Sequence, residues 1–266
     1  MHAAALSDIG KVRVTNEDAF ALLPEQGLFI VADGLGGHRA GATASKIVVS
    51  VLPEMVKQRR AAVQDDETTT ISQLLRDTIA ELSLTLREHA ASEPGLAGMG
   101  ATVVVACVQG AQAFIAHMGD SRAYLYRQGE LKQLTDDHSV VGILLRRGEI
   151  TPEEARAHPA RNRLTRYVGM EHEAYPDVQT LKLSARDRLL LCTDGLMAMM
   201  RDEAITEILA HSHDPQLACQ ALVDSANAAG GHDNVTVLVA DWAGGPKTSA
   251  ARDTMADIQG RSVDVR

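Results

Sequence analysis

Four short apolar runs in this chain each end at, or begin from, an aspartate beside a small or turn-forming residue. They read Phe29-Ile30-Val31-Ala32-Asp33-Gly34, Ile115-Ala116-His117-Met118-Gly119-Asp120-Ser121 and Leu190-Leu191-Cys192-Thr193-Asp194-Gly195, with Gly231-His232-Asp233-Asn234 opening the last run. One such aspartate is explained by an Asx turn or a helix cap. Four are a different matter. If the runs are strands of one sheet system, their carboxylates meet at one end of it, where they repel and raise one another's pKa. A hard divalent cation relieves that repulsion, and an all-oxygen ligand set selects Mg²⁺ or Mn²⁺ over zinc or copper. Gly34 lets the backbone approach such an ion, and its carbonyl could serve as a further ligand. Upstream, Arg13-Val14-Thr15-Asn16-Glu17-Asp18 adds one guanidinium and two more carboxylates. The planar fork of Arg13 matches phosphate oxygens. By itself, Arg13 would read as half of a surface ion pair of little consequence.

These residues need a scaffold. Apolar, β-branched segments at 28–32, 101–108, 113–117, 123–127, 178–183, 188–192 and 235–240 predict strands. Turns at Gln128-Gly129-Glu130 and Val108-Gln109-Gly110-Ala111 make neighbouring strands antiparallel. Long helices are predicted at 40–60 and 71–91, the second with Ile71, Leu74, Leu75, Ile79, Leu82 and Leu86 on one face. Shorter ones are predicted at 139–147, 152–158, 202–211 and 215–229, with Pro152, Glu153 and Glu154 suited to a first turn. Residues 65–70 read as a polar linker, and 244–266 as a disordered tail. Strands and helices come in blocks, not in βαβ alternation, which favours packed antiparallel sheets covered by helices over a doubly wound parallel sheet.

Composition narrows the function classes. The 266 residues carry 26 basic against 35 acidic side chains, a net charge of −9, which disfavours nucleic acid and anionic membrane surfaces as partners. Aromatic residues are 3% of the chain, too few for a base-stacking platform. No apolar run is long enough to span a bilayer and the first residues lack a secretory pattern, so a cytoplasmic protein is expected. Cys107, Cys192 and Cys219 form no metal or disulfide pattern, nor a Cys-x5-Arg loop for nucleophilic catalysis. Gly34-Leu35-Gly36-Gly37 fails as a dinucleotide loop because Arg39 stands where glycine is needed.

In order along the chain, Gly10-x-x-Arg13-x-x-Asn16-Glu17-Asp18, Val31-Ala32-Asp33-Gly34-Leu35-Gly36-Gly37-His38, Gly98-Met99-Gly100-Ala101-Thr102, His117-Met118-Gly119-Asp120-Ser121-Arg122, Thr135-x-Asp137-His138-Ser139, Leu164-Thr165-Arg166-x-x-Gly169, Thr193-Asp194-Gly195 and Asp233-Asn234-Val235-Thr236 resemble the metal-dependent serine/threonine protein phosphatases of the PPM, or type 2C, family in its bacterial form. The resemblance leaves out residues 65–93 and the tail. It implies an α+β fold, a four-layer αββα sandwich of two antiparallel sheets, within a catalytic domain at 1–243 whose residues 139–177 form a flap. It implies that Asp33 bridges two Mn²⁺ or Mg²⁺ ions, with the Gly34 carbonyl on one, and Asp194 and Asp233 completing the other. Asp18 and Glu17 would act through the ions' waters, Asp120 with Asp194 would hold a third ion, and Arg13 would bind the substrate phosphate. A metal-activated bridging water would then hydrolyse phosphoserine or phosphothreonine in proteins, opposing a bacterial Ser/Thr kinase; a monomer is the default expectation. One departure stands out. Some animal members carry a histidine directly after the Asp-Gly pair, proposed as general acid, and Leu35 occupies that position here. A catalytically silent phosphoprotein binder is the alternative, and the intact carboxylate set argues against it.

Overall fold

The computed structural model describes residues 1–37, 39–62 and 68–244. Strands β1 (His2–Asp8), β11 (Val235–Asp241), β10 (Arg188–Cys192), β7 (Arg122–Arg127) and β8 (Glu130–Gln133) form one sheet in that order. Strands β2 (Asp18–Leu23), β3 (Leu28–Leu35), β5 (Val103–Gln109), β6 (Gln112–Met118) and β9 (Asp177–Lys182) form the other, with the short β4 (Gly100–Ala101) paired to β3. Every ladder in both sheets is antiparallel.

Period-two alternation explains why the strands read as continuous apolar runs. In β3, Phe29 and Val31 point between the sheets, where they join Val104, Ile115, Leu125, Leu189, Leu191 and Leu238. Leu28, Ile30 and Ala32 point the other way, onto α1 (Arg39–Ala62) and α2 (Thr68–Ser92). Both faces are therefore apolar, as in any strand covered on two sides. Burying a side chain such as Phe29, which is 0% exposed, contributes about 1.5–3 kcal/mol. The predicted face of α2, from Ile71 to Leu86, lies wholly within the helix–sheet core. On the far side, α5 (Asp194–Met199), α6 (Asp202–His211) and α7 (Pro215–Ala228) cover the outer face of the first sheet through Leu196, Ile205, Leu222 and Val223. The result is the expected αββα order.

Residues 139–177 carry two short helices, α3 (Val140–Arg146) and α4 (Pro152–Ala157), before the chain returns to the sheet at β9. Ser139 accepts from the Gly142 amide at the start of α3, and Thr151 with Glu154 makes a reciprocal capping box at α4. Two features differ from the sequence reading. Residues 68–70 belong to α2 and are not linker, because the Thr-rich start precedes a strongly amphipathic stretch that carries the helix back. Strands β1 and β2 and the short helix α5 carry no strong periodic signal and were not predicted. Residues 63–67, His38 and the tail from 245 onward lie outside the described residues.

Candidate active site

Residues 33 and 18 face each other in register across β3 and β2. Directly opposed residues of an antiparallel pair share a face. Asp33 continues the Phe29–Val31 face, so both carboxylates point toward the opposite sheet. There Thr193 Oγ1, at the end of β10, donates to Asp18 Oδ2 at 2.8 Å. Asp194 follows it as the first residue of α5. Asp233 precedes β11, the neighbour of β10, and Asp120 follows β6. The four strand-end aspartates thus divide two and two between the sheets. They meet, as expected of strands in one sheet system, at one end of it, which is the open end of the sandwich.

A cleft of about 230 Å³ opens at that end. Its lining includes Arg13, Glu17, Asp33, Gly34, Asp120, Asp194 and Asp233, all of the predicted site residues except Asp18. Asp18 lies beneath, 7% exposed. A larger cleft of about 300 Å³ between α2 and residues 170–175 takes no part of this cluster.

The surrounding hydrogen bonds show how the site is held. The Asp33 amide donates to Thr102 Oγ1 at 3.0 Å, the Thr102 amide donates back to the Asp33 carbonyl at 2.8 Å, and Thr102 Oγ1 meets Ser121 Oγ at 2.7 Å. Thr102 therefore ties Asp33 to the residue beside Asp120. Asn234 organises the N-terminal loop: its Nδ2 donates to the carbonyls of Ile9 and Thr15, each at 3.0 Å, and its Oδ1 accepts from the Glu17 amide at 2.8 Å. That loop carries Arg13, whose Nη2 donates to Asp233 Oδ2 at 2.7 Å at the half-exposed cleft rim. Gly34 is required for space. A Cβ there would stand 2.1 Å from the Gly41 carbonyl oxygen and 2.7 Å from that of Glu17.

Electrostatics match a cation site. Burial, opposed by hydrogen bonds from Thr236 and Thr193 and reinforced by Asp194 and Asp233, lifts the Asp18 carboxyl to about 7. Burial and the neighbouring Asp233 lift Asp194 to about 6. Burial and the surrounding aspartates hold Asp33 and Asp120 well above the ordinary range. Asp18 Oδ1 is buried without any hydrogen-bond donor. An acceptor-only oxygen, stranded under a cluster of carboxylates and backbone carbonyls, is the donor chemistry a hard divalent cation and its waters satisfy. A cysteine nucleophile is excluded: all three cysteines are buried, and burial pushes their thiols up, Cys219 to about 12.

Residues 11–229 match the protein phosphatase 2C family. The chain belongs to that family. It is a metal-dependent serine/threonine protein phosphatase. The match runs through residues 65–93, which the motif series did not reach. Among relatives, the serine/threonine phosphatase stp of Listeria monocytogenes is 41% identical over 244 residues, covering 91% of this chain and 96% of its own length. The crystal structure of serine/threonine phosphatase Stp1 from Staphylococcus aureus superposes with a TM-score of 0.82 at 34% identity, covering 91% and 95% of the two chains. The catalytic domain of the phosphatase PstP, solved in complex with two manganese ions, superposes with a TM-score of 0.72 at 36% identity, covering 90% and 97%.

Several residues that build this phosphatase's cleft were not singled out from the sequence. Asn234 and Thr102 stand inside quoted motifs, yet they act by bonding backbone far away along the chain. Asn162 and Leu164, from the 139–177 segment, form one wall of the cleft. Leu35, which the sequence did single out, also lines it.

Proposed function

We propose that this cleft hydrolyses phosphoserine and phosphothreonine in proteins, with Asp33, the Gly34 carbonyl, Asp194 and Asp233 as the ligands of two Mn²⁺ or Mg²⁺ ions. Asp18 and Glu17 hold the ions' waters, and Asp120 with Asp194 offers a third position. The observation that carries the reading is the convergence of carboxylates from both sheets around the donorless Asp18 Oδ1. Bound ions supply an activated water as nucleophile and neutralise charge on the phosphoryl group. The chain's own residues do the rest. Arg13, at the rim, presents a fork to the phosphate oxygens, while Asp233 and the Asn234-ordered loop keep it aimed into the cleft. Thr102 and Thr193 hold Asp33 and Asp18 in orientation. Leu35 has no proton to give, so it does not serve as the acid that protonates the leaving oxygen.

The substrates are phosphorylated proteins, and the enzyme opposes a Ser/Thr kinase of the same cell. We take the enzyme to act as a monomer in the cytoplasm; among the described residues no helix is long and apolar enough to cross a membrane. Purified protein with Mn²⁺ is expected to turn over p-nitrophenyl phosphate and a phosphothreonine peptide, and to stop in EDTA. Asp33→Asn or Asp194→Asn is expected to lower kcat by about 100-fold or more. Full activity in excess chelator would overturn the reading.

A further inference from the structure

Val12 and Val14 stand on either side of Arg13 in the chain, and both are open to solvent, 59% and 80% exposed. Ile9, three residues before Val12, is exposed as well. Of the eight exposed large apolar side chains among the described residues, these three share one six-residue stretch. Others, such as Val51, Leu84 and Leu217, stand singly on α1, α2 and α7. Single apolar side chains on a surface are ordinary, whereas a group of them beside a binding cleft marks a contact surface.

The stretch is tied down at both ends. The Gly10 amide donates to Asp8 Oδ1 at 2.8 Å, and Asn227 Nδ2 donates to the same oxygen at 3.0 Å. The Lys11 amide donates to the Gly231 carbonyl at 2.7 Å. Gly10 has φ +79°, and a Cβ there would stand 2.3 Å from the Asp233 carbonyl oxygen. The backbone before the valines therefore lies directly on the turn that carries Asp233. After them, the Thr15 carbonyl accepts from Asn234 Nδ2 at 3.0 Å, and Asn16 Nδ2 donates to Ser7 Oγ at 2.8 Å. Between these anchors Arg13 reaches back to Asp233 at the cleft rim, and the two valines stay in solvent. A β-branched side chain is stiff at χ1, so on an anchored backbone it loses little freedom when a partner covers it.

Arg13 fixes what that partner is. A phosphate held by its fork brings the phosphorylated residue beside the valines, and extended polypeptide advances only about 3.3–3.6 Å per residue. Side chains one or two residues away from the phosphorylated one then come within reach of Val12 and Val14. We propose that Val12 and Val14 form an apolar collar that docks aliphatic side chains next to the phosphorylated residue, so that the enzyme prefers phosphothreonine with aliphatic neighbours. The proposal rests on the phosphatase reading of the cleft, with Arg13 as its phosphate ligand. An aliphatic side chain laid on either valine removes apolar area of both partners from water, which is worth about three- to ten-fold in kcat/KM per valine.

The test compares kcat/KM, with Mn²⁺, for two phosphothreonine peptides, one with leucine and one with serine at the two positions on each side of the phosphothreonine. The full chain should prefer the leucine peptide by about ten-fold or more. In Val12→Ser/Val14→Ser that ratio should fall to within about two-fold of unity. Val12→Thr/Val14→Thr, which keeps the branching and exchanges a methyl for a hydroxyl, should lower the ratio by about three-fold or more, and reads it if the serine pair does not fold. Leu217→Ser, an exposed apolar residue on α7, should keep the ratio of the unaltered chain. An unaltered chain without preference, or a ratio that survives in both valine pairs, overturns the proposal. Parallel losses on the two peptides also overturn it, because the valines would then serve only to hold Arg13, and so does a ratio lost equally in Leu217→Ser. No turnover of either peptide by the unaltered chain overturns the phosphatase reading and the collar with it. Turnover without preference overturns the collar alone.

Discussion

Asp18 and Asp33 oppose each other across one ladder while Asp194 approaches from the other sheet, so in metal-free protein each carboxylate is charged at the expense of its neighbours. The consequence for pH has a definite sign. Asp18 moves from the ordinary 3.8 up to about 7 and Asp194 up to about 6. An acid whose folded pKa is raised binds more protons folded than unfolded, so its contribution is full below about 4 and is lost as pH rises through the folded value. Metal-stripped protein should therefore melt progressively lower between pH 4 and pH 7. Calorimetry in EDTA checks this, and a melting temperature that rises over that window would contradict the assignment. Arg13 belongs to the same scale. Arg13→Ala should lower kcat/KM by about 10- to 100-fold, with much of the loss in KM, since a charged bond to the phosphate goes. Steady-state kinetics on the phosphopeptide reads it directly. What could be seen in the sequence here was residue type: an Asp-Gly after an apolar run, an Arg ahead of paired carboxylates. The pairing of Asp18 with Asp33 could not, because register comes from the β2–β3 hairpin. Asn234 was missed because its amide serves backbone at positions 9, 15 and 17, and nothing local marks that distance.

At the scale of elements, the apolar periodicity of β3, β5, β10 and α2 was strong because both faces of each sheet are covered and α2 lays one stripe on a core. β1 and β2 escaped notice. His2–Asp8 holds a short run of three alanines and one leucine with no β-branched residue and pairs with β11 alone at the sheet edge, while Asp18–Leu23 starts on a charge. Helix α5 is six residues long, below the length at which a 3.6-residue period declares itself. Its placement nevertheless depends on one residue. A Cβ on Gly195 would stand 1.9 Å from the Asn234 carbonyl oxygen, so α5 packs against the start of β11 only with glycine there. Gly195→Ala is expected to destabilise by about 3 kcal/mol, lowering the melting temperature by roughly 6–12 °C. At Gly95 an added Cβ meets nothing within 4 Å, and Gly95→Ala should leave stability within about 0.5 kcal/mol. Equal shifts in the two variants would show that the close approach is not what holds α5.

Across the whole molecule the sheets are joined along most of their length by apolar contact, Phe29, Val31 and Ile115 against Leu189, Leu191 and Leu238. Only at the open end does that adhesion give way to carboxylates, with Asp33 and Asp120 on one side and Asp194 and Asp233 on the other. The block order of strands and helices was enough to indicate two packed sheets. It could not say which strands join which sheet, since that depends on long-range pairings such as β1 with β11. Divalent ions held as proposed would bridge halves that otherwise repel, with opposite effects of one substitution in two states. Asp194→Asn removes a like charge, so metal-stripped protein at pH 8 should gain about 1 kcal/mol, roughly 2–4 °C in melting temperature. The unaltered protein should gain about 3–4 kcal/mol from Mn²⁺ at 100 to 1,000 times its dissociation constant, and Asp194→Asn should lose most of that gain. Hydrogen exchange locates the effect: Mn²⁺ should slow exchange together at the Asp33 end of β3 and at Thr193 and Asn234, on opposite sheets. Protection confined to one sheet, or an Asp194→Asn variant less stable than the unaltered chain in EDTA, would mean that the ions are not what holds the two sheets together at this end.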